Sequence, residues 1–397
     1  MMTNTFKIKY IREFCQVIDC EHKTAPYVEK SDFLVVRTSN VKDGRLIWDD
    51  MKFTTQNGYE EWTQRAIPEY GDVLFTREAP AGETCLVPKD IKMCMGQRMV
   101  LLRPASEKID PLFFSLVLAS EKIKLDILKL SIGSTVSRIN IEDIKQLKVP
   151  VPSLDEQRKI SKILNAWEQA ILTTEKLLAN SQQQKKALMQ QLITGKKRLL
   201  DENGVQFGKE WEQVTVSDIC KIGRGRVISK IEIEKNNGIY PVYSSQTMND
   251  GVMGYLNSFD FDGEYVTWTT DGVYAGTIFY RTGRFNCTNI CGTLIAKSGN
   301  LNLKFLSFSL SIVAYKYVSH TLANPKLMNG VMATVPIMLP EIKEQQKIAA
   351  VLSAADAEIS TLEKKLACLK DEKKALMQQL LTGKRRIKID AEEAVSA

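Results

Sequence analysis

Histidine is almost missing from this chain: 397 residues contain two, His22 and His320, far apart in sequence. The eight cysteines are scattered, and only Cys15/Cys20 and Cys287/Cys291 lie close together. Their spacing is loose and the two histidines are far apart, so buried thiols in a reducing compartment are the expected state, with a structural zinc site as the alternative. No apolar run approaches the ~18 residues of a membrane span. The opening MMTNTFKIKY lacks the apolar core of a secretory signal, so a cytoplasmic location is expected. Catalytic motifs are missing as well. There is no phosphate-binding Gly-x-x-x-x-Gly-Lys-Ser/Thr, no His-Glu-x-x-His, no Gly-x-Ser-x-Gly, and no Asn/Asp-Pro-Pro tetrapeptide of amino-methyltransferases. Gly-Arg-Gly-Arg at 223–226 falls short of a dinucleotide fingerprint. The acidic pairs Asp49-Asp50 and Glu60-Glu61 are sequence neighbours that read as solvated surface. These absences point away from catalysis and toward binding.

Charge of one sign is in small excess. Lys and Arg total 54 against 47 Asp and Glu, a net +7. That balance is compatible with nucleic acid without arguing for it. Residues 1–150 carry 22 basic and 21 acidic side chains, and residues 201–338 carry 12 of each. The surplus sits in 151–200, at +5, and 339–388, at +4, while the last nine residues carry −3. With 44% hydrophobic and 25% charged residues, the chain is ordinary for a folded protein, and its length suits two to four units.

What is present is a repeat. KKALMQQLITGKKR (185–198) recurs as KKALMQQLLTGKRR (373–386), and 25 of 48 positions match without a gap between 151–198 and 339–386. The 188-residue offset reaches back faintly, aligning Ile139, Ile144 and Leu147 with Leu327, Met332 and Val335. The plan is head (1–150), shaft (151–200), head (201–338), shaft with tail (339–397).

The shafts read as helices with apolar residues at alternating steps of four and three, the seam of a coiled coil. In the first the seam is Ile160, Leu164, Trp167, Ile171, Leu178, Leu188 and Leu192. In the second it is Ile348, Leu352, Ile359, Leu362, Leu366, Leu369, Leu376 and Leu380. Ser153 and Glu156 suggest an N-cap and capping box, and Gly195 and Gly383 suggest the ends. A parallel in-register pair would set Lys185 against Lys373. An antiparallel pair would let each lysine snorkel at the apolar start of its partner, and would put the heads at opposite ends. The alternative is that each shaft packs on its own head. Lys196-Lys197-Arg198 and Lys384-Arg385-Arg386 follow the helices, where cations complement the helix end or contact phosphate or a partner.

Both heads read as mixed α/β units. In the first, 33–41, 71–77 and 99–104 suit strands and 111–130 an amphipathic helix. In the second, 238–245, 264–270, 276–283 and 292–298 suit strands and 303–318 a helix. Candidate DNA contacts in the first head are Arg37, Thr38, Ser39, Asn40, Arg77, Gln97 and Arg98. In the second they are Lys221, Arg224, Arg226 and Lys230, where glycine beside arginine would let guanidinium groups reach phosphates or base edges.

A variable head, then Pro-x-x-x-Glu-Gln-x-Lys-Ile (Pro152 to Ile160, Pro340 to Ile348), then a long helix, all twice, resembles the DNA-specificity subunit of type I restriction-modification enzymes. VVRTSNVKDGRL, GDVLFTREAPAG and WEQVTVSDICKIGRGR resemble parts of its target-recognition domains. The resemblance implies two α/β target-recognition domains, each reading half of a bipartite DNA target. It implies an antiparallel coiled coil that sets the gap and scaffolds two methyltransferase subunits, with two motor/nuclease subunits possible. S-adenosylmethionine would then belong to the methyltransferase, ATP and magnesium to the motor, and no cofactor to this chain. Two heads on one duplex face would sit about 10 bp, or a multiple, apart. The competing reading is a coiled-coil adaptor whose heads bind protein.

Overall fold

The computed structural model describes residues 6–131, 138–246, 248–320 and 324–387. The acidic last nine residues lie outside them. Two compact units emerge: residues 1–175 with 365–397, and residues 176–364. None of the described helices is long and apolar enough to cross a membrane.

In the first unit, strands Cys15–Asp19, Met99–Pro104, Val73–Thr76 and Thr84–Leu86 form one antiparallel sheet in that order. A second sheet pairs Phe33–Val36 in parallel with Lys92–Met95 and antiparallel with Lys52–Thr54. The expected helix over 111–130 is instead two, Pro111–Leu118 and Glu121–Leu130. Ser120, with extended backbone angles, is the N-cap that breaks it.

In the second unit, six strands run in the order Cys220–Arg224, Cys291–Ala296, Phe261–Thr269, Ile278–Cys287, Tyr240–Tyr243, Val252–Leu256. The predicted helix over 303–318 is the α-helix Leu303–Val313 followed by the 3-10 turn Ala314–Tyr317. The strand that leads into each long helix keeps the 188-residue offset and pairs antiparallel with the strand that opens its head. Lys7 pairs with Val151 and Tyr10 with Lys148, while Glu212 pairs with Leu339 and Thr215 with Pro336.

The long helices span Leu154–Leu192 and Ile342–Leu380, again offset by 188 residues. All fifteen seam residues are buried or half-buried. Ile160, Leu164 and Leu380 lie fully in the first head's core, which they share with Phe113, Phe114 and Ile144. Leu192, Ile348 and Leu352 pack with Phe305 and Phe308 of the second head. Each shaft end is therefore also head core, so pairing and head packing coexist.

Within each unit the helices run antiparallel. In the first, Glu168 meets Lys373 at 2.6 Å and Glu175 meets Lys370 at 2.8 Å. In the second, Lys185 pairs with Asp356, and Ser181 donates to Glu358 at 3.1 Å. The seam lysines do not snorkel, as the sequence had suggested; each finds a carboxylate on the facing helix, and these carboxylates are themselves repeat equivalents.

The Glu-Gln motif has a physical reading that sequence alone did not supply. Glu156 is buried and is not a capping residue: its carboxylate accepts Arg386 Nε and Nη2 at 2.8 and 2.7 Å. Glu344 accepts Arg198 Nε and Nη2 at 2.6 and 2.7 Å. Thus one residue of each basic run beyond a helix closes on the start of the other helix. The neighbouring glutamine grips the head. Gln157 Oε1 accepts the Asp110 amide at 2.7 Å and Gln345 Oε1 the Asn302 amide at 2.8 Å. Asp110 and Asn302 in turn cap the head helices.

Arg45 also bridges Glu168 and Glu175. Burial raises both carboxyl pKa values, but the hydrogen bonds and charges of Lys373, Lys370 and Arg45 outweigh it and hold both below the ordinary 4.5. A depressed folded pKa adds stability that is complete above the unfolded value and is lost as pH falls through the folded one. The denaturation midpoint of the full chain should therefore drop as pH falls from about 5 toward 3. Glu168→Gln should flatten that slope; an unchanged slope would remove this network from the account.

Candidate nucleic-acid interface

One end of each head is built on the same set of backbone hydrogen bonds. In the first head the Thr76 amide donates to Glu83 O at 2.9 Å and the Gly82 amide to Thr76 O at 2.8 Å. In the second, the Thr269 amide donates to Thr277 O at 3.1 Å and the Gly276 amide to Thr269 O at 2.9 Å. These bonds close a hairpin loop, 77–82 in one head and the longer 270–276 in the other. Each loop is tied to the turn before the next strand: Arg77 N to Arg98 O at 2.8 Å, Thr270 N to Ile290 O at 2.9 Å. A returning segment completes both ends, through Ile139 N to Arg77 O at 3.1 Å and Leu327 N to Thr270 O at 2.9 Å. An acid on each loop meets a cation on that segment: Glu78 and Arg138 at 3.3 Å, Asp271 and Lys326 at 3.4 Å.

The side chains on this common frame differ. In the first head Arg77 is buried, bidentate to Asp19 at 2.9 and 3.1 Å, and so supports the loop from beneath. Arg98 is exposed with φ +66° and reaches Glu78 at 3.2 Å. Half-buried Gln97 donates to the His22 carbonyl at 3.3 Å. Parallel pairing of Phe33–Val36 with Lys92–Met95 carries Arg37 to the same end, beside Gly96. Arg37 is held by Asp50 at 3.0 Å, and Thr38 and Ser39 follow it with partial and full exposure. Asn40 is withdrawn as a DNA contact. It is wholly buried, and its amide donates to Ile47 O and Asp49 O at 3.1 Å each. Arg77, equally enclosed, is corrected to the same supporting role.

In the second head, Arg224 stands where register puts Asp19 in the first. Asp19 pairs with Val100 and Arg224 with Gly292, each one position beyond the strand's first residue. Arg224 is exposed, donating to the Asn289 carbonyl and, at 3.3 Å, to Thr270 Oγ1. Arg226 is committed to Asp260 at 2.9 Å and Glu232 at 2.7 Å. Gly225 is needed for close approach rather than freedom, since a Cβ there would lie 2.2 Å from Cys287 O. Lys221 is exposed three residues before Arg224, about 10 Å along the strand and on its other face. Lys230 is exposed at the start of helix Lys230–Lys235. The fold therefore gathers Arg37, Gln97 and Arg98 at one head's end and keeps Arg224 at the other's, while Lys221 lies further along its strand on the other face.

Sequence reasoning missed Glu78, Arg138, Asp271 and Lys326. A signal existed: Arg138 and Lys326 are one offset apart and immediately precede Ile139 and Leu327, which the repeat had aligned. Among the described residues no His, Cys, Asp and Glu cluster could hold a metal. Burial pushes the thiols of Cys85, Cys94 and Cys220 up to about 12, so they are poor nucleophiles.

The model of the type I restriction modification DNA specificity domain matches residues 4–180 and again 208–370. The chain belongs to the type I restriction-modification specificity family. S.MpnORF365P of Mycoplasma pneumoniae, named as a type I specificity subunit, is 39% identical over 223 residues, covering 55% of this chain and 79% of that protein. The MpnII specificity subunit of the same organism is 49% identical over 144 residues, 36% of this chain and 43% of that one. The crystal structure of a type I specificity subunit from M. genitalium covers 96% of this chain and 98% of its own, with TM-score 0.68 at 14% identity. A structure from work on assembly and conformational transition of the type I system covers 96% and 99%, with TM-score 0.55 at 17% identity. The specificity-subunit fold thus spans both heads and both long helices.

Proposed function

We propose that each head of this specificity subunit reads one half of a bipartite DNA sequence with the loop end described above. The observation that carries this is a constant backbone frame holding different side chains, with a small Ala79-Pro80 tip among charged groups in one head and the larger Val273 and Tyr274 in the other. Fixed frames with exchangeable tips suit recognition of different base pairs by one fold. The paired helices set the gap between the halves. They also present two equivalent faces, one per repeat, on which two methyltransferase subunits dock, with motor/nuclease subunits joining outside them. The chain itself performs no chemistry; S-adenosylmethionine, ATP and magnesium belong to the partners. Extrusion of the target adenine falls to the methyltransferase.

The test is expression with the methyltransferase subunit, followed by mapping of methylated adenines and binding of the assembled complex to a mapped site. A single two-part motif is expected, with affinity falling steeply as salt rises because phosphate contacts release counterions. Methylation without any sequence preference, or binding indifferent to both sequence and salt, would leave the heads as protein-binding modules instead.

A further inference from the structure

The second head's loop has a feature its counterpart lacks. Val273 and Tyr274, at the summit of 270–276, are 85% and 51% exposed. Lone exposed apolar residues are common and mean little. These two are adjacent, however, and the loop beneath them is rigidly built. Besides the two bonds at its neck, the Gly272 amide donates to Pro325 O at 3.0 Å, the Ala275 amide to Gly272 O at 2.9 Å and the Thr277 amide to Tyr274 O at 3.1 Å. Thr277 Oγ1 donates to Tyr274 O as well, at 2.8 Å. Gly276, at φ +85°, lets the loop lie against Val318, whose Cγ2 would be 2.8 Å from an added Cβ. A summit held this way loses little entropy when it meets a partner.

Its surroundings indicate the partner. Arg224 flanks the loop through Thr270, Lys326 flanks it through Asp271, and Tyr315, 63% exposed, lies against Gly276. Apolar side chains projecting beside cations match a groove walled by phosphates. In the first head the corresponding stretch is Glu78-Ala79-Pro80-Ala81, with Glu78 shared by Arg98 and Arg138. The exposed tip there is the small Ala79-Pro80 pair, whereas Val273 and Tyr274 present a larger apolar surface. The thymine methyl is the apolar feature of base-pair edges, and it lies in the major groove.

We propose that Val273 and Tyr274 are specificity-determining residues of the second head, entering the major groove and selecting an A·T pair by contact with the thymine methyl. The proposal rests on the reading of the heads as DNA readers. The test uses the full complex with its methyltransferase subunits and maps methylation for wild type, Val273→Ala, Tyr274→Ser and Tyr274→Phe. Val273→Ala and Tyr274→Ser should each lower discrimination at an A·T pair of one half-site about ten- to a hundredfold. The other half-site should stay unchanged, and Tyr274→Phe should keep the wild-type motif because it keeps the apolar face. An unchanged motif in both variants, loss of methylation at all sites alike, or relaxation confined to G·C pairs would overturn the assignment. A wild-type complex with no bipartite motif would instead sink the underlying reading of the heads, so the two failures are distinguishable.

Discussion

Arg198→Ala is expected to destabilise the protein by about 3–5 kcal/mol, the usual cost of orphaning a buried charge. Glu344 is completely buried, and Arg198 supplies two of its hydrogen bonds. The remaining partner, Trp211 Nε1 at 3.0 Å, cannot neutralise it. The truncation also frees the Lys209 carbonyl that Arg198 Nη2 holds at 2.9 Å. The repeat supplies an internal comparison in Arg386→Ala, which orphans Glu156. Arg386 is more exposed than Arg198, 36% against 19%, so water already screens part of that pair and the loss should be smaller. The half-buried Lys185–Asp356 pair, whose carboxylate is 40% exposed where Glu344's is 1%, marks the other extreme: Lys185→Ala should cost at most about 1 kcal/mol. Urea denaturation of the full chain checks the series. Adding Glu344→Gln to Arg198→Ala should recover much of the loss, because it removes the stranded charge. If Arg198→Ala and Lys185→Ala cost the same, the buried pairs are not what closes the shaft ends.

Exchange of residues 1–150 for the head of another specificity subunit should replace one half of the methylated sequence completely and leave the other half intact. The geometry makes this exchange feasible. Strand Lys7–Tyr10 pairs with Lys148–Val151, so the segment enters and leaves side by side. Beside the apolar core it shares with Ile160, Leu164 and Leu380, the exchanged head must preserve a few polar contacts. An N-cap equivalent to Asp110 must receive Gln157 and Ser161, which now lie 2.7 and 2.6 Å from it. A cation equivalent to Arg45 must meet Glu168 and Glu175. A donor head lacking these should still change the half-site, with stability lowered by a few kcal/mol, at about 1–3 kcal/mol for each unsatisfied group. Methylation mapping decides the matter. A change in both half-sites would mean that the heads do not read independently.

Much of this was legible in the sequence because it repeats. The offset predicted the paired shafts, and the same offset reappears in the helix bounds and in the strand that leads into each helix, while the loop hydrogen bonds keep the pattern at a separation that an insertion has lengthened. Helix periodicity marked the seam because burial on one face of a helix leaves a trace every three or four residues. The candidate DNA contacts were harder. Arg77 and Arg98 look alike in sequence, yet one is locked beneath a loop by Asp19 and the other reaches solvent. The Gly-Arg-Gly-Arg run looked mobile, but Gly225 is packed against a neighbouring backbone and Arg226 is spent on two carboxylates.

The family, the two-headed plan and the helical shafts are therefore readable from the chain alone, since they rest on local periodicity and on similarity between segments. Tertiary structure alone decided that the Glu of each Glu-Gln motif pairs with the arginine beyond the other helix. It alone raised Val273 and Tyr274 onto a loop summit and placed Arg138 and Lys326 behind the loops. Each of these depends on which distant segments meet. That is fixed by register and by the burial of unlike residues together, and neither leaves a periodic mark on the chain.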